Sequence, residues 1–270
     1  GLMGILFPLI SFPYVSRVLG VENLGRFNFA SSVVSYFILV ANLGITPYAI
    51  RECAKVRESR KKADVFASDI FTINLISVLF SIAMLVITVF SVRKLSDYRT
   101  IITILAMQIP LNLIGVEWVF SAFEDYFYIT IRSIFFQFLS LILLFAFVKN
   151  ENSLIIYSII TVVSAAGVNI LNWKLAKKYV RIRIDFSDRL KKHMKPILLL
   201  FAMTVAGTVY SSTDMTILGF MCDDTSVGLY SVSTKVYNVV KTVISSIVVV
   251  SIPRLSAILG EKNRSEFSNT

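Results

Sequence analysis

Charge is scarce in this sequence. Only 16% of its 270 residues are Asp, Glu, Lys or Arg, against 56% hydrophobic, which is too little polar material to cover a globular exterior in water. A soluble domain is thereby excluded, and lipid is the solvent for most of the surface. Histidine and cysteine are scarcer still, at one and two residues, so neither the ligands nor the spacing of a metal site is present. Cys53 and Cys222 fall in connections expected on opposite sides of a membrane, which rules out a disulfide between them, and a reducing cytoplasm would not sustain one. Large polar loops are also missing. That argues against a membrane-embedded glycan polymerase or glycosyltransferase, which needs catalytic carboxylates or arginines on a large outward loop. The adjacent Glu124 and Asp125 sit in a short turn and read as helix-flanking charge.

What the sequence has in quantity is long apolar runs. At 1.5 Å per residue, about 20 residues cross a hydrocarbon core of roughly 30 Å. Runs of that kind predict helices at 2–19, 27–50, 64–92, 100–121, 127–148, 153–174, 196–221 and 228–253, an all-α polytopic bundle of about eight transmembrane helices. The chain opens at Gly1 inside an apolar run with no basic flank, so a cleavable signal peptide is not visible. It closes in a polar stretch at Ser268-Asn269-Thr270. Both features lead to the expectation of a trimmed N-terminus and a missing C-terminal part.

The net charge of +10 is distributed as a topology signal rather than as a nucleic-acid footprint. No basic helix or aromatic and basic platform stands apart from the apolar runs. One set of alternate connections carries six Lys or Arg within 51–62, nine within 174–195 and three from Arg254 onward; the other set carries six in all. The positive-inside rule makes the first set cytoplasmic. The longest basic connection, 175–195, reads as a linker between a six-helix lobe over 1–174 and the start of a second lobe over 196–270. It contains His193, which beside Lys191, Lys192 and Lys195 is expected to be solvated or at headgroup level.

Polar residues recur at helical spacing in most spans, as in Asn28, Ser31, Ser35, Asn42 and Thr46, or Ser158, Thr161, Asn169 and Asn172. Such stripes face inward, either bonding helix to helix or lining a hydrated cavity. The eighth span carries Ser231, Lys235, Asn238, Thr242 and Ser245 on one stripe, with Lys241 within reach of it. A charge at the bilayer centre costs about 2.5–3.5 kcal/mol on insertion scales. Lys241, roughly 18 Å from either predicted helix end, is too deep to reach an interface. Asp214 and Lys235 stand at equal depth in an antiparallel hairpin and are expected to pair.

Two segments carry a family resemblance. Pro13-Tyr14-Val15-Ser16-Arg17-Val18-Leu19-Gly20, followed by Glu22-Asn23-Leu24-Gly25-Arg26-Phe27, resembles the first hairpin of the flippases that move O-antigen, capsule or teichuronic repeat units, members of the multidrug/oligosaccharidyl-lipid/polysaccharide exporter superfamily. Asp214, Leu218-Gly219, Val227-Gly228-Leu229-Tyr230 and Lys235 resemble the family's seventh and eighth helices. The two segments also resemble each other, each with a Leu-Gly helix end, a short outward turn, a Gly before an aromatic and a Pro near the inner end (Pro47, Pro253). This is the mark of an internal repeat.

The resemblance implies a MATE-like transporter in a bacterial plasma membrane, with no covalent chemistry and no cofactor. It would translocate an undecaprenyl-diphosphate-linked oligosaccharide by alternating access around a cationic cavity. Arg17, Lys235 and Lys241 would then meet the diphosphate, Asn42 and Asn238 the sugars, and Asp214 would serve as an ion-pair or coupling residue. Arg17 has a competing reading as an interfacial anchor. Membrane lipids and, beyond them, a polysaccharide polymerase with its chain-length machinery are the implied partners. The alternative within the superfamily is a multidrug or cation exporter. That function wants membrane carboxylates, and only Glu117 and Asp214 are available for it, so the sign of the cavity discriminates the two.

Overall fold

The computed structural model describes residues 3–242 and 244, with side chains from residue 9 onward and Phe7. Among these residues every regular element is helical: α1 Met3–Asn42, α2 Ile45–Val56, α3 Arg60–Ser91, α4 Arg99–Ala106, α5 Gln108–Gly115, α6 Glu117–Ala122, α7 Tyr126–Phe147, α8 Leu154–Ala176 and α9 Leu190–Met221. A tenth helix, α10, is described over 224–242. The expected residues Ser245, Pro253, Arg254, Lys262 and Arg264 lie outside the described part.

Six helical stretches are long and apolar enough to cross a membrane, and the first of them, Leu9–Val56, holds two of the expected spans. The chain reverses inside α1 at Gly20, whose φ of 74° and ψ of 166° lie in a region open to glycine alone. Both arms of the resulting hairpin reach the same end of the molecule. Tyr14 in the first arm donates its hydroxyl to the Val148 carbonyl (2.7 Å), and Asn23 in the second donates to the Glu151 carbonyl (3.0 Å). The predicted turn at 20–26 is thus a single residue, with helix resuming at once.

The connections sort onto two ends as the alternation predicts. At the basic end Arg57 pairs with Glu124 (2.8 Å), and Arg60 donates to the Lys177 carbonyl (3.1 Å). At the far end Tyr98 donates to Asp224 (2.5 Å), which also faces Arg26 at 3.9 Å. Large apolar side chains of α3, α7 and α9, such as Ile87, Phe90, Phe127, Ile142, Leu199 and Met203, are exposed outward, as a lipid-facing surface requires. The chain is a multi-pass membrane protein.

Two expected spans are broken, two of the three breaks standing just before a proline. The run 27–50 divides at Leu43 and Gly44, both with positive φ, and 100–121 divides at Met107 and again at Val116. Pro47 and Pro110 each stand three residues beyond a break. A proline lacks the N–H that would bond the carbonyl four residues earlier, here Leu43 and Ala106, where the preceding helix gives out. Side chains of α3 donate to carbonyls at and just before the first break: Asn74 to Ala41 (2.8 Å), Ser77 to Val40 (2.6 Å) and, one turn deeper in α1, Ser81 to Phe37 (2.5 Å). Broken helices survive in lipid only when other groups satisfy the freed backbone in this way.

The breaks divide the interior into three levels. One buried apolar cluster, including Leu19, Phe29, Val34, Ile102 and Ile109, fills the far half, and another, including Cys53, Phe66, Ile70, Trp118 and Ile197, fills the basic half. Between them lies a polar level at Asn42, Asn74, Asn112 and Asn169.

Helices α1 and α10 cross at the far end with no room for a side chain. A methyl on Gly25 would overlap the Asp224 carbonyl oxygen and lie 2.9 Å from the Gly228 nitrogen, while a methyl on Gly228 would overlap the Val21 carbonyl oxygen. Each glycine thus sits on the carbonyl four residues before the other. Such reciprocity is the pattern of an approximate two-fold axis, and it relates the two segments whose sequences resemble each other.

Candidate substrate cavity

The polar level borders two adjoining cavities. One, of about 420 Å³, lies between α1, α2 and α9 and is lined by Ser35, Asn42, Thr46, Thr204, Thr208 and Ser211 among others. The second, of about 220 Å³, is lined by Asn42, Thr46, Asn74, Asn112, Glu117 and Asn169. Asn42 and Thr46 belong to both, because the break between α1 and α2 falls at their junction. Amides and hydroxyls at this density are neutral groups that donate and accept together. In a membrane protein they suit a ligand with many hydroxyls better than one that is apolar or carries a single charge.

Behind this wall stands a buried cation. Arg132 of α7 has a side chain 2% exposed and donates to Glu117 (3.1 Å), which is 53% exposed on the cavity side. It also donates to Asn172, which accepts a further hydrogen bond from the Tyr128 hydroxyl (3.1 Å). The guanidinium lies 5.5 Å from the Tyr128 ring centre. Arg132 thereby cancels the carboxylate it faces, and the inner cavity keeps no net negative charge from Glu117. Val116, with φ 33°, sets the turn between α5 and α6 that presents Glu117. Asn169 donates to Asn112 across the same level (3.4 Å).

The other expected site residues are dispersed. Asn42 lines the cavities, but Lys235, Asn238 and Lys241 are exposed on α10 and do not line them. Lys235 places its ammonium 5.8 Å from the Phe12 ring centre, and Lys241 lies 5.8 Å from that of Tyr210 and 5.9 Å from that of Tyr237. The expected Asp214 and Lys235 pair is not formed among the described residues: Asp214 accepts from the Tyr230 hydroxyl instead (2.8 Å). The two side chains meet different partners, Asp214 the Tyr230 hydroxyl and Lys235 the Phe12 ring, because spacing along the helices fixes depth and not the face a side chain occupies. Arg17 is exposed near the far end of the first arm.

His193 is a correction. It is buried, with Nδ1 2.7 Å from the Tyr48 hydroxyl and Nε2 3.6 Å from the fully buried Asp69, which Arg189 also faces at 3.4 Å. Neighbouring lysines suggested solvent, but α9 turns this one face onto α2 and α3 while Lys191 and Lys192 point away. Sequence reasoning also passed over Arg132 and Asp69, although a charge inside an apolar run is itself a signal.

Among known proteins, the chain is 26% identical over 258 residues to a protein of Escherichia coli (strain K12) named "Putative O-antigen transporter"; the match covers 94% of this chain and 62% of that protein. The chain therefore spans about three-fifths of the length of this curated relative. No solved structure matches it. A model of the family described as "Polysaccharide biosynthesis protein" matches residues 1–259, and the chain belongs to that family.

Proposed function

We propose that this protein is the first lobe and the beginning of the second lobe of a flippase that moves a lipid-diphosphate-linked oligosaccharide across the bacterial plasma membrane by alternating access, with the basic end in the cytoplasm. The observation that carries the reading is the pair of adjoining cavities, lined by amides and hydroxyls, at the broken middle of the bundle. Vicinal sugar hydroxyls need adjacent donors and acceptors, which Asn42, Asn74, Asn112 and Asn169 supply, and a cavity of a few hundred Å³ is of ligand size. The diphosphate needs cations. Lys235 and Lys241, exposed on α10 against aromatic rings, are the candidates, while the prenyl tail stays in lipid. The lobe boundary falls in the connection 175–195, and a polymerase with its chain-length machinery would receive the product.

The cation-exporter alternative loses its main support at Glu117. A carboxylate already paired with a buried guanidinium offers little to a cationic drug.

The test is rescue of surface polysaccharide by the full-length protein in a strain blocked in repeat-unit export, with membrane protein level measured beside it. Asn112→Leu and Lys241→Gln are each expected to keep the protein in the membrane and lose export. Normal export by Asn112→Leu sinks the sugar cavity, and normal export by Lys241→Gln removes that lysine from the diphosphate site.

A further inference from the structure

The connection between α8 and α9 is not a loose linker. Residues 180–187 have no regular secondary structure, yet the segment lies along α3, where alternate backbone N–H groups meet side chains one helical turn apart. Arg181 donates to Asp64 (2.7 Å), Arg183 to Ser68 (3.0 Å) and Asp185 to Thr72 (3.1 Å). Two residues of extended chain advance about 6.6 Å and four of helix about 6 Å, so the two ladders stay in step. The docking fixes Arg181 and Arg183 on one edge.

That edge walls a cavity of about 440 Å³ whose lining includes Arg60, Trp173, Lys177, Arg181, Ile182 and Arg183 and no carboxylate. All four cations are exposed. Among the described residues none of the four forms an ion pair. The nearby acids are engaged elsewhere: Asp64 holds the Arg181 backbone, and Asp185 pairs with Arg189 at 2.5 Å. Immediately beyond the arginines the same segment exposes Ile184 and Phe186, by 56% and 72%. The cavity lies at the basic end, against the start of α3 and the end of α8. The 32 residues of α3 span about 48 Å, so this end stands beyond a hydrocarbon core of roughly 30 Å, at headgroup depth.

From this juxtaposition we infer that the basic end carries a binding site for an anionic phospholipid of the adjoining leaflet. Arg60, Lys177, Arg181 and Arg183 hold the phosphate, Trp173 and Ile182 border the glycerol region, and Ile184 and Phe186 dip into the acyl layer. Cations placed over an apolar edge match a headgroup above its chains, whereas a free phosphate has no use for the apolar part. The site does not depend on the transport reading, since its ligand and its test involve no exported substrate.

The experiment measures lipid binding to the purified full-length protein in nanodiscs and detergent, with phosphatidylglycerol and phosphatidylcholine as probes. Phosphatidylglycerol is expected to bind and raise the melting temperature, and phosphatidylcholine is not. Arg181→Gln with Arg183→Gln, which leaves the backbone ladder intact, should weaken phosphatidylglycerol binding at least tenfold. Lys191→Gln, at an exposed cation of the same end paired with Asp188 (2.7 Å), should leave it unchanged. If the double variant is unstable, Lys177→Gln alone should weaken binding several-fold. Equal binding by parent and variants, or an equal loss in Lys191→Gln, overturns the site. Full protection by millimolar inorganic phosphate overturns the assignment to lipid.

Discussion

The crossing of Gly25 and Gly228 makes a quantitative demand. In Gly228→Ala the new methyl would lie 2.7 Å from Val21 Cγ1 as well as overlapping the Val21 carbonyl oxygen. Carbon atoms rest about 3.5–4.0 Å apart, so α1 and α10 must separate by roughly 1 Å. Both contacts are to backbone or to a short branched side chain, which cannot swing aside. Overpacking of this kind costs about 1–3 kcal/mol, and 1.4 kcal/mol is about tenfold in an equilibrium. Separation also pulls Asp224 away from Tyr98 and Arg26, the contacts that tie α10 to the far end. Gly25→Ala and Gly228→Ala are therefore each expected to open the far end by about tenfold or more. The reporter is Ser231→Cys in a chain lacking Cys53 and Cys222. Ser231 is 5% exposed one turn beyond Gly228, so maleimide labelling should be slow in the parent and about tenfold faster with either alanine. Because both glycines serve one crossing, the double alanine variant should fall short of the summed effects. An unchanged labelling rate together with an unchanged melting temperature would refute the close crossing.

Three further outcomes follow from buried charge and from topology. Asp69→Ala removes the buried carboxylate that faces His193 and Arg189 but leaves Arg189 its second partner, Asp185, so the melting temperature should fall by a few degrees; a parental melting temperature would show that the cluster contributes nothing. Glu117→Ala should destabilise more than Arg132→Met, since the first leaves a buried guanidinium unpaired and the second leaves only a half-exposed carboxylate; the reverse order in thermal melts would contradict the assigned burial. The proposed orientation, basic end inward, requires that an impermeant thiol reagent on intact cells label Cys222, which is exposed, and spare Cys53, which is buried. Since burial alone protects Cys53, the decisive comparison is Lys177→Cys against Cys222, and labelling of Lys177→Cys alone would invert the orientation.

The sequence by itself determined the solvent, the number and ends of most helices, and which connections share a side, because hydrophobic length and basic flanks are local properties that lipid reads directly. It also brought out the likeness between the Gly25-Arg26-Phe27 and Gly228-Leu229-Tyr230 segments, whose glycines meet at one crossing, and it placed Asn42 among the polar groups facing inward. What it left undecided depends on rotation about each helix axis and on contacts between distant segments. Asp214 and Lys235 were matched in depth, yet only packing decided that Asp214 meets Tyr230. His193 was grouped with its basic neighbours, yet the face of α9 that turns onto Asp69 buried it. Asn74 and Asn112 each look like an isolated amide in an apolar run. They meet only because the breaks before Pro47 and after Gly115 bring α1, α3, α5 and α8 to one polar level, where freed backbone carbonyls and side-chain amides satisfy one another.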